Sequence, residues 1–138
     1  MSRASIDFVV DGYARYNARD KSVEWPTDHE LVHWHEDAEY QAAREDPDSA
    51  THRGIEAIRL QFARWHEAYP DLRVEVLDAW AKGDAVVAWV HFIGHGAGSG
   101  VPIDMQLAHV YTLRDGKIAS IVEYFDRDEA FEVAGLSQ

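Results

Sequence analysis

The chain has 138 residues, no cysteine and a formal net charge of −12. The missing cysteine excludes disulfides and thiolate metal sites. The charge opposes a nucleic-acid partner, because polyanions repel. No apolar run approaches the roughly 20 residues a membrane-spanning helix needs, and the length suits one domain over residues 1–138 that buries its own core.

Residues 1–17 carry charges inside their apolar stretch and no small-residue cleavage pattern, so they do not read as a leader, and the expected location is the cytoplasm. Ala4 to Arg19 reads as a helix. Its apolar face is Ile6, Val9, Val10, Tyr13 and Tyr16, Ser2 or Ser5 can cap it, and Asp7 suits its first turn. Lys21 to Trp25 reads as a short helix stopped by Pro26. Thr27 or Asp28 can open a further turn through Trp34, followed by a short strand at Asp37 to Ala42 and a polar loop at Arg44 to Ser49. Thr51 to Tyr69 is the second strong helix, with Ile55, Ile58, Phe62 and Trp65 as its stripe and Pro70 beyond its end.

The period then changes to two. Leu72 to Ala81 alternates, with Leu77 and Trp80 breaking the pattern, and Lys82-Gly83-Asp84 turns the chain. Ala85 to His95 is a strand rich in Val, Trp and Phe, followed by a glycine-rich loop over 94–100. Ile103 to Leu113 and Lys117 to Phe125 are strands joined by an Arg114-Asp115-Gly116 hairpin turn. Asp126 with Glu129 spells a capping box for a terminal helix that Gly135 closes. Helices followed by an antiparallel meander imply an α+β fold, with helices covering the apolar side of a curved sheet.

Several strings, in order, carry a resemblance. They are Asn17-Ala-Arg-Asp20, His35-Glu-Asp-Ala-Glu-Tyr40, His52-Arg-Gly-Ile-Glu-Ala-Ile58, Tyr69-Pro-Asp-Leu-Arg73, Lys82-Gly-Asp84, Arg114-Asp-Gly-Lys-Ile118, Glu129-Ala130 and Ala134-Gly-Leu136. Over nearly the whole chain the sequence resembles the SnoaL-like group of polyketide cyclases, within the nuclear transport factor 2-like and ketosteroid isomerase-like superfamily. The resemblance implies a cone-shaped, mostly antiparallel sheet around one deep apolar pocket. It also implies a homodimer formed through the sheet.

Glu123 and His109 are the candidate catalytic pair. Each lies seven residues from Gly116, so antiparallel pairing sets them side by side. A carboxylate in an apolar pocket is pushed toward the range useful for general acid–base work, and an imidazole beside it can shuttle a proton. The plainer readings are a rim glutamate paired with an arginine and a satisfied core histidine. In the cyclases that the sequence resembles, an acid and a histidine occupy these positions, and a tyrosine of the first helix binds ligand. Tyr13 and Tyr16 are the candidates for that tyrosine, with core packing as the alternative.

Trp34, Phe62, Trp65, Trp89, Phe92 and Tyr111 either line the pocket or fill the core. Trp89 and Phe92 have opposite parity and cannot both face inward from a regular strand. Ala42 stands where isomerases of the resembled superfamily carry their catalytic aspartate, which argues against steroid isomerisation. Eight histidines show no compact ligand motif, so no metal and no cofactor is expected. The expectation is an enzyme without cofactor, of cyclase, isomerase or hydratase type, acting on a small hydrophobic carbonyl-bearing ligand. A module that binds or dimerises without chemistry is the alternative.

Overall fold

The computed structural model describes residues 2–46 and 50–136. In chain order it has helix α1 (Ser2–Asn17), a 3₁₀ turn (Asp28–His33), strands β1 (Trp34–Gln41) and β2 (Thr51–Arg53), helix α2 (Ile55–Ala68), strands β3 (Arg73–Lys82), β4 (Ala85–His95), β5 (Pro102–Arg114) and β6 (Lys117–Tyr124), and helix α3 (Arg127–Val133). One six-stranded sheet runs in the order β2-β1-β6-β5-β4-β3. Among the described residues only the β1–β6 pair is parallel. The fold is therefore α+β with a mostly antiparallel open sheet.

The inward face is apolar because alternate residues supply it. On β4 these are Val86, Ala88, Val90 and Phe92, and on β5 Leu107 and Tyr111. Leu107, Val86 and Val90 are fully buried, each stabilising the fold by about 1.5–3 kcal/mol. Register shifts at Val76/Asp78 and at Thr112/Leu113 bend the sheet toward a cone. The first shift explains why Leu77 broke the alternation. It has no register partner and is exposed.

α1 and α2 cover the concave side. Asn17 ties α1 to the free edge of β3, its Nδ2 donating to the Val74 carbonyl at 2.7 Å and its Oδ1 accepting from the Val74 N–H at 2.9 Å. Arg19 adds a bond to the Leu72 carbonyl. On the outer face, α3 packs Phe131 and Ala130 over Trp80, Val87, Ala108 and Val110.

Several boundaries differ from the sequence reading. Thr51–Arg53 is a strand pairing with β1, not the first turn of α2. Gly54, at φ +88°, breaks the chain between the two and leaves α2 to begin at Ile55. Lys21 to Trp25 forms turns rather than a helix. α1 begins at Ser2, so Ser5 lies inside it and does not cap it, and Asp7 falls beyond its first turn. The side chain of Ser2, and so Ser2 as a cap, and the 47–49 portion of the expected polar loop lie outside what the structure describes. Asp126 caps α3 through the Asp128 and Glu129 amides, but the Glu129 carboxylate pairs with Arg44 instead of closing the box.

Candidate active site

The pocket lies between α1, α2 and the concave face of the sheet. Its walls are aromatic and aliphatic, including Phe8, Trp25, Trp34, Phe62, Trp65 and Phe92, and four tyrosines (Tyr13, Tyr16, Tyr40 and Tyr111) turn toward it. The space open to the centre of a water molecule is about 60 Å³. That is on the order of five waters.

His109 lies on the pocket wall and faces Glu123 across the β5–β6 register. Both are buried, at 3% and 7% exposure. Alternation places them inward with Tyr111 and Ile121, because a strand's period is two. His109 Nε2 is 3.1 Å from Glu123 Oε2 and 3.0 Å from Tyr40 Oη. Tyr40 Oη donates to Glu123 Oε2 at 2.7 Å. On the other side of the ring, Nδ1 is 2.6 Å from Tyr13 Oη. The network assigns the protons. Tyr40 spends its hydrogen on Glu123, so it can only accept from Nε2–H, and a neutral imidazole then accepts at Nδ1 from Tyr13.

Burial is the main reason the Tyr13 and Tyr40 hydroxyls titrate well above their ordinary range, and the Glu123 charge adds to it at both. Both hydroxyls therefore stay protonated donors. Burial also raises Tyr111. Glu123 does not itself line the pocket. It reaches the cavity through Tyr40 and His109.

At a second position on the wall, Tyr16 Oη lies 2.6 Å from His66 Nε2. Burial pushes the Tyr16 hydroxyl up to about 12, against the opposing pull of Arg19. Burial, helped by the same Arg19, lowers His66 to about 4, so this imidazole stays neutral and serves as an acceptor.

Of the residues named from sequence, Tyr13, Tyr16, Trp34, Phe62, Trp65, Tyr111 and His109 line the cavity. Trp89 does not. It points to the outer face, donates Nε1–H to Gln106 Oε1 at 3.1 Å and packs with the α3 cluster, because its parity on β4 is opposite to that of Phe92. Sequence reasoning missed Tyr40. With β1 starting at Trp34, Tyr40 shares parity with buried Trp34 and Ala38, and that alternation was the available signal. It also missed Arg15, Glu30 and Trp25. Among the described residues, no group of three His, Asp or Glu side chains converges as a metal site would require.

Solved structures of the same fold include a candidate SnoaL-like polyketide cyclase of Jannaschia sp. CCS1, 19% identical over 99% of this chain and 94% of that one, with a TM-score of 0.74. Bal32a, from a soil-derived mobile gene cassette, is 18% identical over 97% of this chain and 96% of its own, at 0.73. SalBIII, an epoxide hydrolase/cyclase-like enzyme of pyran ring formation in polyether salinomycin, is 17% identical over 91% and 92%, at 0.71. At such identities the likeness is one of fold, and the site must be argued from its own residues. A search of curated protein sequences returned no match. The family description "SnoaL-like domain" matches residues 9–121, most of the length, and the chain belongs to that family.

Proposed function

We propose that the protein is a general acid–base enzyme acting on a small hydrophobic, carbonyl-bearing ligand, by isomerisation, hydration or ring closure. One observation carries the reading: a buried Tyr13–His109–Glu123 chain, with hydroxyl on Nδ1 and carboxylate on Nε2, set in the wall of an otherwise apolar pocket. A hydroxyl, an imidazole and a carboxylate in this order form a proton relay. A ligand proton passes to Tyr13 Oη as Tyr13 passes its own to His109 Nδ1. Glu123 balances the imidazolium so formed, and the reverse path returns the proton to a different ligand atom. His109 and Tyr13 are the catalytic groups in this reading, and Glu123 and Tyr40 position them. The relay needs only side-chain protons. The fold family includes polyketide cyclases and epoxide cyclase-like enzymes, which is compatible with this chemistry.

The rival is a pocket that binds without chemistry. It has one observation in its favour: among the described residues no buried polar side-chain atom lacks a partner, so the network is complete without a ligand. Exchange of α-protons separates the two. Single-ring ketones such as cyclohexanone and acetophenone, incubated with the protein in D₂O, should lose their α-proton NMR signals faster than in buffer. Tyr13→Phe and His109→Gln should each reduce that acceleration by about 10²-fold or more. Exchange no faster than buffer, or unaffected by either variant, favours the binding module.

A further inference from the structure

The pocket wall also holds a charged pair that the relay does not use. Glu30, on the 3₁₀ turn, is 6% exposed, and it lines the cavity beside Arg15 of α1. Arg15 Nε donates to Glu30 Oε2 at 2.6 Å. A carboxylate buried against an apolar cavity is expensive unless paired, and here the guanidinium supplies the partner.

The pairing has a directional consequence. A guanidinium is a rigid fork with two edges able to grip a carboxylate, one containing Nε and one formed by the two Nη groups. Glu30 occupies Nε, and among the described residues no other hydrogen bond of Arg15 accompanies it. The Nη end lies over Gly12, where an added Cβ would sit 3.7 Å from Nη2. Gly12 itself lines the pocket. The salt-bridged side chain remains 38% exposed, so an incoming group can reach it.

We propose that Arg15 is a specificity residue whose Nη edge grips the carboxylate of a small, single-ring acid, with Glu30 holding the fork in place. The proposal rests on the pocket being a ligand site and deepens that reading by naming the substrate class. The spacing of a carboxylate's two oxygens matches that of the two Nη groups. The apolar walls take the ring.

The test compares phenylacetate with phenylacetamide, which is neutral and nearly the same shape, by isothermal titration of the intact protein. Phenylacetate should bind at least tenfold more tightly, with an affinity that falls as salt rises. Arg15→Gln should erase the preference and leave the amide unchanged. Glu30→Gln keeps an acceptor for Nε but removes the competing charge, so it should strengthen phenylacetate binding. A purely structural ion pair predicts no such gain, and this arm decides the matter if Arg15→Gln fails to fold. Equal affinities for acid and amide, or a preference that survives Arg15→Gln, would overturn the Arg15 proposal while leaving the ligand pocket intact. Binding of neither compound would overturn both readings.

Discussion

Tyr13 and Tyr16 lie one turn apart on α1, and both rings are buried, at 7% and 5% exposure. Removing the same hydroxyl from each should nevertheless have unequal costs. Tyr13→Phe leaves His109 Nδ1, inside a 3%-exposed residue, with no donor. An orphaned buried acceptor costs about 1–3 kcal/mol. Tyr16→Phe deprives His66 Nε2 of its donor, but His66 is only part-buried, and water can replace the lost bond. That change should cost about 0.5–1.5 kcal/mol, the net value of an ordinary hydrogen bond. Urea unfolding followed by tryptophan fluorescence reads both numbers, provided the slope is unchanged and only the midpoint moves. A cycle with His109→Leu sharpens the result, because with the imidazole gone Tyr13→Phe should lose most of its cost. If Tyr13→Phe costs no more than Tyr16→Phe, or costs the same with and without His109, the network drawn around Nδ1 is wrong.

His66 should make the fold sensitive to acid. Its folded pKa, about 4, lies below the ordinary 6.5, so between those values the unfolded chain binds a proton that the folded chain refuses, and stability falls as pH drops through that window. After allowance for partial exposure, about 1–2 kcal/mol should be lost. His66→Gln, which still offers Tyr16 an acceptor, should flatten this part of the pH–melting curve, and an unchanged slope would assign the acid sensitivity elsewhere. Phe92→Ala should widen the cavity and admit larger ring ketones in saturation-transfer NMR, whereas Trp89→Ala should leave ligand binding untouched because its ring lies on the outer face. A binding defect in Trp89→Ala would contradict that placement.

The elements most legible in the sequence were those whose periodicity was unbroken. β4 was read with its observed bounds, and β5 and β6 to within a residue at each end. They are rich in β-branched and aromatic residues, and turns at Gly83 and Gly116, both at positive φ, mark where they meet. The hairpin turn pairs Arg114 with Lys117 and Leu113 with Ile118, a register that would carry on to set His109 opposite Val122. The shift between Leu113 and Thr112 moves the pairing by one residue and puts His109 opposite Glu123, so symmetry about Gly116 gives the right pair only because of that bulge. The short first-half elements were less legible. β2 has three residues, too few to show a period, and the helical-looking residues after it extended the reading of α2 backward. The sequence shows strand character only from Asp37, whereas β1 starts at Trp34, and a stretch so short and polar does not show that the Ala38–Tyr40 face is the inward one.

Local chemistry by itself therefore determined the α+β class and the antiparallel meander. Those properties depend on periodicity and turn geometry, which act over a few residues. Only the tertiary structure decided that β1 lies parallel beside β6, and with it that Tyr40 reaches Glu123 across 83 positions of chain. It likewise decided that Tyr13 reaches His109 and that Arg15 meets Glu30 on the cavity wall. Such contacts arise when helices dock on a curved sheet, and no local pattern encodes which side chains that docking brings within hydrogen-bonding distance.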